Sequence, residues 1–282
     1  MPHQSAPQEN SNGSEAALQK AAHALQNGRA EETERIAAEV LRQNPDDPRA
    51  TYLYCHALFL QGRGPAAVEQ IERALHKHRS PILETQLGMI LRHAGRRDDA
   101  LKWLNDATAS QPPFPPAFLE YGSLLLQLNR HDEAIAVLER GLALVPNFSE
   151  ILVHLGSAYA GRGERAKATE FFARAIAGLP NDPAMIFDYA CLMKNSCCFQ
   201  QAAELFRRVL AIDPTDSMAR LALGICLVES GQGELGFENL SAASKSNAKM
   251  FGQAVSAISS AGKGRFWLRP STAKRMLTGT SA

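Results

Sequence analysis

A turn signal recurs at a nearly constant interval along most of this 282-residue chain. Successive turns lie 33 or 34 residues apart, and each is followed five residues later by Ala, Gly or Thr. The turn residues are Gly28, Gly62, Gly95, Asn129, Gly163, Cys197 and Gly231. A fixed period of this length is typical of repeat architectures, in which each unit packs only on its neighbours. The sequence therefore predicts a repeat protein without a single closed core.

Each interval contains two segments of about 12–14 residues with apolar residues at i, i+3, i+4 and i+7, which is the pattern of an amphipathic helix. Prolines end four of the second segments, because Pro lacks an N–H and clashes with the preceding turn. They are Pro112, Pro146, Pro180 and Pro214. Glycines such as Gly88 recur inside the first segments, and bulky residues such as Leu104 recur in the second. This pairing predicts two helices that approach closely at each glycine.

The pattern resembles the tetratricopeptide repeat. The resemblance rests on the 34-residue period and on small residues at the eighth, twentieth and twenty-seventh positions of each unit. The resemblance also rests on large apolar residues at the eleventh and twenty-fourth positions and on Pro at the thirty-second. Arg79 in place of Pro and Cys197 in place of a turn Gly depart from the family pattern and are expected to loosen the local geometry. The resemblance implies an all-α, right-handed α-solenoid of about seven helix-turn-helix repeats plus a C-terminal capping helix.

The turn spacing also sets the predicted boundaries. Residues 1–13 have little to bury and are expected to form a disordered lead-in. The seven repeat units are 14–47, 48–80, 81–114, 115–148, 149–182, 183–216 and 217–247. A capping helix is predicted over 248–261, followed by a basic, aromatic-containing tail over 262–282.

The formal net charge of +1 conceals an uneven distribution. Residues 14–238 carry 23 Lys/Arg against 28 Asp/Glu, whereas residues 239–282 carry seven Lys/Arg and no acidic residue. Five cysteines without a paired spacing indicate a reducing compartment. The N-terminus lacks the pattern of a signal peptide, and no segment approaches 18 uninterrupted apolar residues. We therefore expect a soluble, cytoplasmic protein.

Three local patterns could indicate chemistry, and each has a simpler explanation. The glycines within 231–236 form G-x-G-x-x-G, but a similar spacing begins at Gly62, so the repeat explains them better than a dinucleotide site does. The cysteines include no C-x-x-C pair and are interpreted as small apolar filling or exposed thiols. His76 and His78 are two residues apart and point to different faces of a helix. We therefore predict no metal site, no cofactor and no catalytic activity.

In the family that the chain resembles, the first helices line a concave groove that receives partner segments. The corresponding candidates are Tyr52, His56, Phe59, Met89, Leu119, Ser123, Val153, Phe187 and Leu221. Their mainly apolar character predicts an apolar or amphipathic protein segment as the partner. The alternative is that several of them pack against neighbouring repeats. The Lys, Asn and Arg residues with which related co-chaperones grip a C-terminal carboxylate are missing here, which disfavours a chaperone tail.

The tail supplies a second set of candidates, namely Arg265, Phe266, Trp267 and Arg269. These residues either fold back over the last repeats, or anchor another protein, or bring positive charge to nucleic acid or a membrane. The acidic body disfavours the third interpretation. The sequence thus predicts a non-enzymatic scaffold or adaptor that binds a partner in its groove. The alternative is a regulatory or targeting subunit of an enzyme complex that docks through the tail.

Overall fold

The structure is a computed structural model that describes residues 7–178, 180–245 and 251–256. All regular secondary structure in these ranges is helical, which confirms the predicted all-α fold. The chain divides into two compact units, unit 1 (Met1–Pro146) and unit 2 (Asn147–Ala282).

Both units consist of consecutive helix hairpins. In unit 1 the helices are α1 (Pro7–Gln26), α2 (Ala30–Gln43), α3 (Pro48–Leu60), α4 (Gly64–Leu75), α5 (Pro81–His93), α6 (Arg97–Thr108), α7 (Pro115–Gln127) and α8 (His131–Leu144). In unit 2 they are α9 (Ser149–Gly161), α10 (Arg165–Gly178), α11 (Pro183–Asn195), α12 (Phe199–Ile212), α13 (Ser217–Glu229) and α14 (Gly233–Ser244). Residues 251–256 are also helical.

The first helix begins upstream of the position that the sequence predicts. We expected order from Ser14 onwards, whereas α1 begins at Pro7, so residues 7–13 continue the helix. Proline suits the first turn of a helix, and a helix that is already nucleated extends through polar residues at little cost. The rest of the expected lead-in, residues 1–6, lies outside the described residues.

Several first helices begin with an aspartate that caps the helix N-terminus. Asp47 precedes Pro48, and its carboxylate accepts hydrogen bonds of 2.9 Å from the backbone N–H groups of Arg49 and Ala50. Asp182 precedes Pro183 in the same way and accepts from the N–H of Met185 at 2.9 Å. An N-cap of this kind stabilises a helix by about 1 kcal/mol, and proline already has the φ angle of the first turn.

The turn within each hairpin has one residue in the left-handed region. The φ angle there is 70–89° at the five glycines, 57° at Asn129 and 60° at Cys197. The N–H of the next residue then bonds back to the last turn of the first helix, as Arg63 N does to Leu58 O at 2.8 Å. The corresponding bond from Cys198 N to Met193 O is 2.9 Å. The expected loosening at Cys197 is therefore wrong, because the thiol residue adopts the glycine conformation.

The predicted pairing of small and large residues is confirmed. A Cβ atom added to Gly88 would lie 2.5 Å from Leu104 Cγ, and one added to Gly156 would lie 2.8 Å from Phe172 Cδ2. The large partners are fully buried, with 0% of Leu104 and 2% of Phe172 exposed. The glycine thus lets the first helix approach the second until the large side chain fills the space between them.

The end of unit 2 is covered in part by residues 251–256. Ala254 has no exposed surface and belongs to a buried cluster with Leu221 and Leu240. This segment lies inside the capping helix predicted for 248–261, whose other residues lie outside the described residues.

Replacing Gly88 by Ala tests the close helix approach. The added methyl group overlaps the Leu104 side chain, and overpacking of this kind costs about 1–3 kcal/mol, which exceeds the ~0.5–1 kcal/mol that Ala gains over Gly in a helix. We expect Gly88→Ala to lower the free energy of unfolding by roughly 1–2 kcal/mol in urea titrations. Gly13→Ala is the control, because a Cβ atom added there would meet no neighbouring group within 4 Å among the described residues, and it should stabilise the protein or leave it unchanged.

Replacing Cys197 by Gly tests the left-handed turn. A side chain at a φ of 60° is strained, and glycine adopts this conformation without a steric penalty. We expect Cys197→Gly to raise the free energy of unfolding by about 0.5–1 kcal/mol in reducing buffer. The neighbouring Cys198 has a φ of −84°, which suits any residue. An equal gain from Cys198→Gly would contradict the backbone explanation.

Candidate functional site

The first helices of unit 1 lie side by side, because α3 contacts both α1 and α5, and α5 contacts α7. We call their shared outer side the first-helix face. It contains a pocket of about 480 Å³, named here the Tyr52 pocket. The lining residues are Leu18, Gln19, Ala22, Arg49, Tyr52, Leu53, Ile82, Thr85, Gln86, Met89, Phe114, Pro116 and Glu120. Most of these side chains are apolar, and they come from all four helices or from the residue that precedes α7.

Gln86 connects two helices beneath the pocket. Its side chain is 2% exposed, and its Nε2 donates a hydrogen bond of 2.8 Å to the backbone carbonyl of Tyr52. Since a carbonyl oxygen accepts only from a donor such as an N–H group, this bond fixes the orientation of the amide. The other amide atom, Oε1, is buried and has no hydrogen-bond partner among the described residues.

Two ion pairs flank the Tyr52 pocket. Arg49 bonds to Glu15 through two contacts of 2.7 and 3.0 Å, which link α3 to α1. Arg92 lies 3.1 Å from Glu120 Oε2, and its other terminal nitrogen donates to Ser123 Oγ at 2.9 Å, which links α5 to α7. The first pair is about half exposed and contributes little stability. Both pairs neutralise charge beside an apolar surface.

His56 lies next to Tyr52 on the same face of α3. The two ring centroids are 5.6 Å apart, and His56 Nδ1 is buried without a hydrogen-bond partner in the described structure. Burial lowers the pKa of His56 because it disfavours the charged imidazolium. Burial raises the pKa of Tyr52, and the negative charge of Glu120 adds to this effect. At neutral pH both side chains are therefore uncharged.

Phe59, also predicted for this site, lines a different pocket. It lies seven residues further along α3 than Tyr52, which is about 10 Å along the helix. Its ring is 5.3 Å from that of His93, and both residues line a separate pocket of about 500 Å³ against α4. Leu119 and Ser123 are half-buried on α7. The structure thus brings Tyr52 and Met89 into one pocket and places Phe59 elsewhere.

In unit 2 one of the three predicted groove residues is buried and the other two are half-buried. Val153 is half-buried, and the ring of Phe187 packs edge-on against Phe206 at 5.4 Å. Leu221 is only 5% exposed and belongs to the buried cluster that contains Ala254. The prediction of Leu221 as a contact residue is therefore corrected, because neighbouring helices and residues 251–256 already cover it. The alternative prediction, that candidate groove residues pack within the solenoid and do not face a partner, therefore applies in part to Phe187.

The remaining sequence predictions concern the tail and possible chemistry. Arg265, Phe266, Trp267 and Arg269 lie outside the described residues. Burial raises the pKa of both Cys55 and Cys226 to about 12, so these thiols stay protonated at neutral pH. The described ranges contain no group of three or more His, Cys, Asp or Glu residues that could hold a metal ion. Within the same ranges, none of the helices has the length and apolar character needed to span a membrane.

The G-x-G-x-x-G pattern has a structural role. Its first glycine, Gly231, forms the turn between α13 and α14, and the preceding apolar residues belong to α13. A Cβ atom on Gly236 would lie 2.6 Å from the Val228 side chain. The pattern thus allows two helices to pack closely, and it does not follow a strand as a dinucleotide site requires.

Gln86, Arg92 and Glu120 were not identified from the sequence. Gln86 and Glu120 share the sixth position of consecutive units, next to the fifth position that the family resemblance emphasises. The recurrence of polar residues next to the apolar fifth position was the sequence signal that could have identified Gln86 and Glu120.

The comparisons with known proteins agree with this architecture. The profile of the tetratricopeptide repeat matches residues 24–83, 91–151 and 125–186, and a second profile of the same repeat matches residues 61–115. The chain belongs to the tetratricopeptide repeat family. A search of curated proteins finds no match.

Solved structures show the same fold at low sequence identity. The chain is similar to the APC/C hetero-tetramer Cut9-Hcn1, with a TM-score of 0.67 and 19% identity. That alignment covers 76% of this chain and 42% of the other. The chain is also similar to PilF of Pseudomonas aeruginosa, with a TM-score of 0.62 and 18% identity over 76% of this chain and 96% of PilF. A third similar structure is the thermophilic protein TTC0263 of Thermus thermophilus (TM-score 0.55, 24% identity, 64% and 98% covered).

A pH titration of stability tests the environment of His56. The unfolded imidazole takes up a proton near pH ~6.5, whereas the folded one does so at lower pH because burial lowers its pKa. The unfolded state therefore binds more protons between these two values, and stability falls as the pH drops through this interval. We expect the free energy of unfolding to fall more steeply below pH ~6.5 in the wild type than in His56→Gln.

The same substitution at the exposed His78 is the control for loss of an imidazole. Equal pH dependence of the wild type and His56→Gln would contradict the assignment.

Proposed function

We propose that the first-helix face of unit 1 binds an apolar or amphipathic segment of another protein, and that the chain acts as a scaffold or adaptor. The observation that carries the proposal is the Tyr52 pocket. It is an apolar depression to which α1, α3 and α5 contribute together with the start of α7. Ligand sites in proteins are typically concave and apolar, with a few polar groups that fix orientation, and this pocket has those properties.

The charges at this face support an apolar partner over a charged one. Arg49 lines the pocket and forms an ion pair with Glu15, and Arg92 forms an ion pair with the lining residue Glu120. A partner carboxylate would have to displace Glu15 or Glu120 from these arginines. This agrees with the sequence-based prediction against a chaperone tail held by its carboxylate.

We infer that the chain itself is not an enzyme. Members of the tetratricopeptide repeat family generally act by binding other proteins, and the groups that line the Tyr52 pocket do not form a nucleophile and base in contact. Its lining includes one tyrosine and one glutamate, and the glutamate is paired with Arg92. The cytoplasmic location stays a prediction from the sequence.

Replacing Met89 by Glu tests the proposed face. Met89 is half-buried and lines the pocket, so a carboxylate there would place an unpaired charge where an apolar partner group binds. We expect Met89→Glu to abolish capture of a partner from a lysate of the source cells, with a loss of roughly tenfold or more in affinity once that partner is purified.

Leu60→Glu is the matched control, because Leu60 is 52% exposed and is not part of this lining. Thermal melting of both variants must resemble that of the wild type. If Met89→Glu folds normally and retains every partner that the wild type retains, the proposal is wrong.

A further inference from the structure

The Tyr52 pocket is lined by a buried polar side chain, Gln86, that has an unpaired hydrogen-bond acceptor within the described ranges. Gln86 Oε1 is a strong acceptor on a side chain that is only 2% exposed, and it has no hydrogen-bond partner among the described residues. Leaving a buried acceptor unpaired is costly, and structures satisfy most such groups. Because Gln86 lines the pocket, a group bound there lies beside this side chain.

Among the described residues, the buried side-chain atoms of this lining that have no hydrogen-bond partner are both acceptors. Besides Gln86 Oε1, the lining contains Glu120 Oε2, which has the charge of Arg92 at 3.1 Å but no hydrogen bond among the described residues. The fitting group is therefore a donor that brings no acceptor of its own into the pocket. A tyrosine hydroxyl is both donor and acceptor, whereas the indole nitrogen of tryptophan is a donor only.

The rest of the lining excludes charged donors. An ammonium or guanidinium group would lose its hydration against Leu18, Leu53, Ile82 and Met89. The neutral amide oxygen does not compensate for this loss, and the charge of Glu120 is already balanced by Arg92. An indole avoids this cost, because its body is apolar and its single N–H is neutral. The volume of about 480 Å³ accommodates such a ring together with adjoining peptide atoms.

Resting on the proposed function of this face, we propose that the Tyr52 pocket receives the tryptophan side chain of a partner protein, with the indole N–H donating to Gln86 Oε1. Tryptophan is enriched among the residues that dominate protein interfaces, where its N–H is usually paired once the ring is buried. In this arrangement Gln86 Oε1 accepts the hydrogen bond from the partner, while Gln86 Nε2 keeps its hydrogen bond to the Tyr52 carbonyl.

The test uses the full chain and small probes in place of the unidentified partner. N-acetyl-tryptophanamide is titrated by calorimetry beside its 1-methylindole analogue, which has the same ring but lacks the donor. We expect the parent compound to bind about tenfold more tightly than the methylated one, because methylation leaves Gln86 Oε1 buried and unpaired. Equal affinities, or no binding of either compound, would overturn the proposal.

Two variants sharpen this test. In Gln86→Met the side chain keeps its length and loses the acceptor. We therefore expect this variant to bind the two probes with equal affinity, in contrast to the wild type. In Leu60→Glu, which lies outside the lining, the difference of about tenfold must persist. A preference for the donor that survives in a folded Gln86→Met protein would also refute the role of Gln86.

The source of the indole is tested separately. Trp267 belongs to this chain, so the titration is repeated with full-length Trp267→Ala. We expect unchanged probe affinity if the pocket serves another protein. Tighter binding would show that the chain's own tail competes for the pocket and would overturn the assignment to a partner.

This outcome is distinguishable from failure of the proposed function. If Met89→Glu loses a partner but the two probes bind equally, the first-helix face stands and only the tryptophan assignment fails. If Met89→Glu loses nothing, the face itself is wrong.

Discussion

The contact between a small residue of the first helix, which is glycine in four of the repeats, and the large residue of the second helix is the interaction on which the packing of the hairpins depends. Where Gly88 meets Leu104, the two helix backbones approach until the leucine side chain has no exposed surface. A Cβ at the glycine would occupy space that this side chain fills. Isolated helices of this length are marginal in water, so their stability comes from this contact and from stacking on the neighbouring pair. The left-handed turns make the contact possible, because they reverse the chain within a few residues.

This packing also determines where a binding surface can form. Since each second helix is held against its own first helix and against the next one, the first helices of unit 1 meet along a shared side. The side chains that point outward there do not pack between the two helices of their own repeat. Tyr52 and Met89, contributed by neighbouring helices, therefore line one pocket although they are far apart in sequence. The ion pair of Arg92 with Glu120 and the bond of Gln86 to Tyr52 connect the same helices.

The two units use equivalent positions differently. In unit 1 the fifth-position residue Tyr52 leaves part of its ring at the pocket surface. In unit 2 the corresponding Phe187 packs on Phe206, and Leu221 is buried in a cluster with Ala254. The helical segment beyond the last hairpin contributes to the burial of Leu221. Position within a repeat therefore indicates the direction of a side chain but does not establish its accessibility.

The sequence by itself determined the helices, the turns and the pairing of small with large residues, because these depend on local periodicity and on sterics that repeat about every 34 residues. It also selected Tyr52 and Met89, which line the same pocket, while their contact with a partner stays a prediction. Only the tertiary structure separated Phe59 from them, buried Leu221 and brought Gln86 to the pocket with one oxygen unpaired among the described residues. Burial and hydrogen bonding depend on which neighbouring side chains reach the same space, and helix period alone does not contain that information.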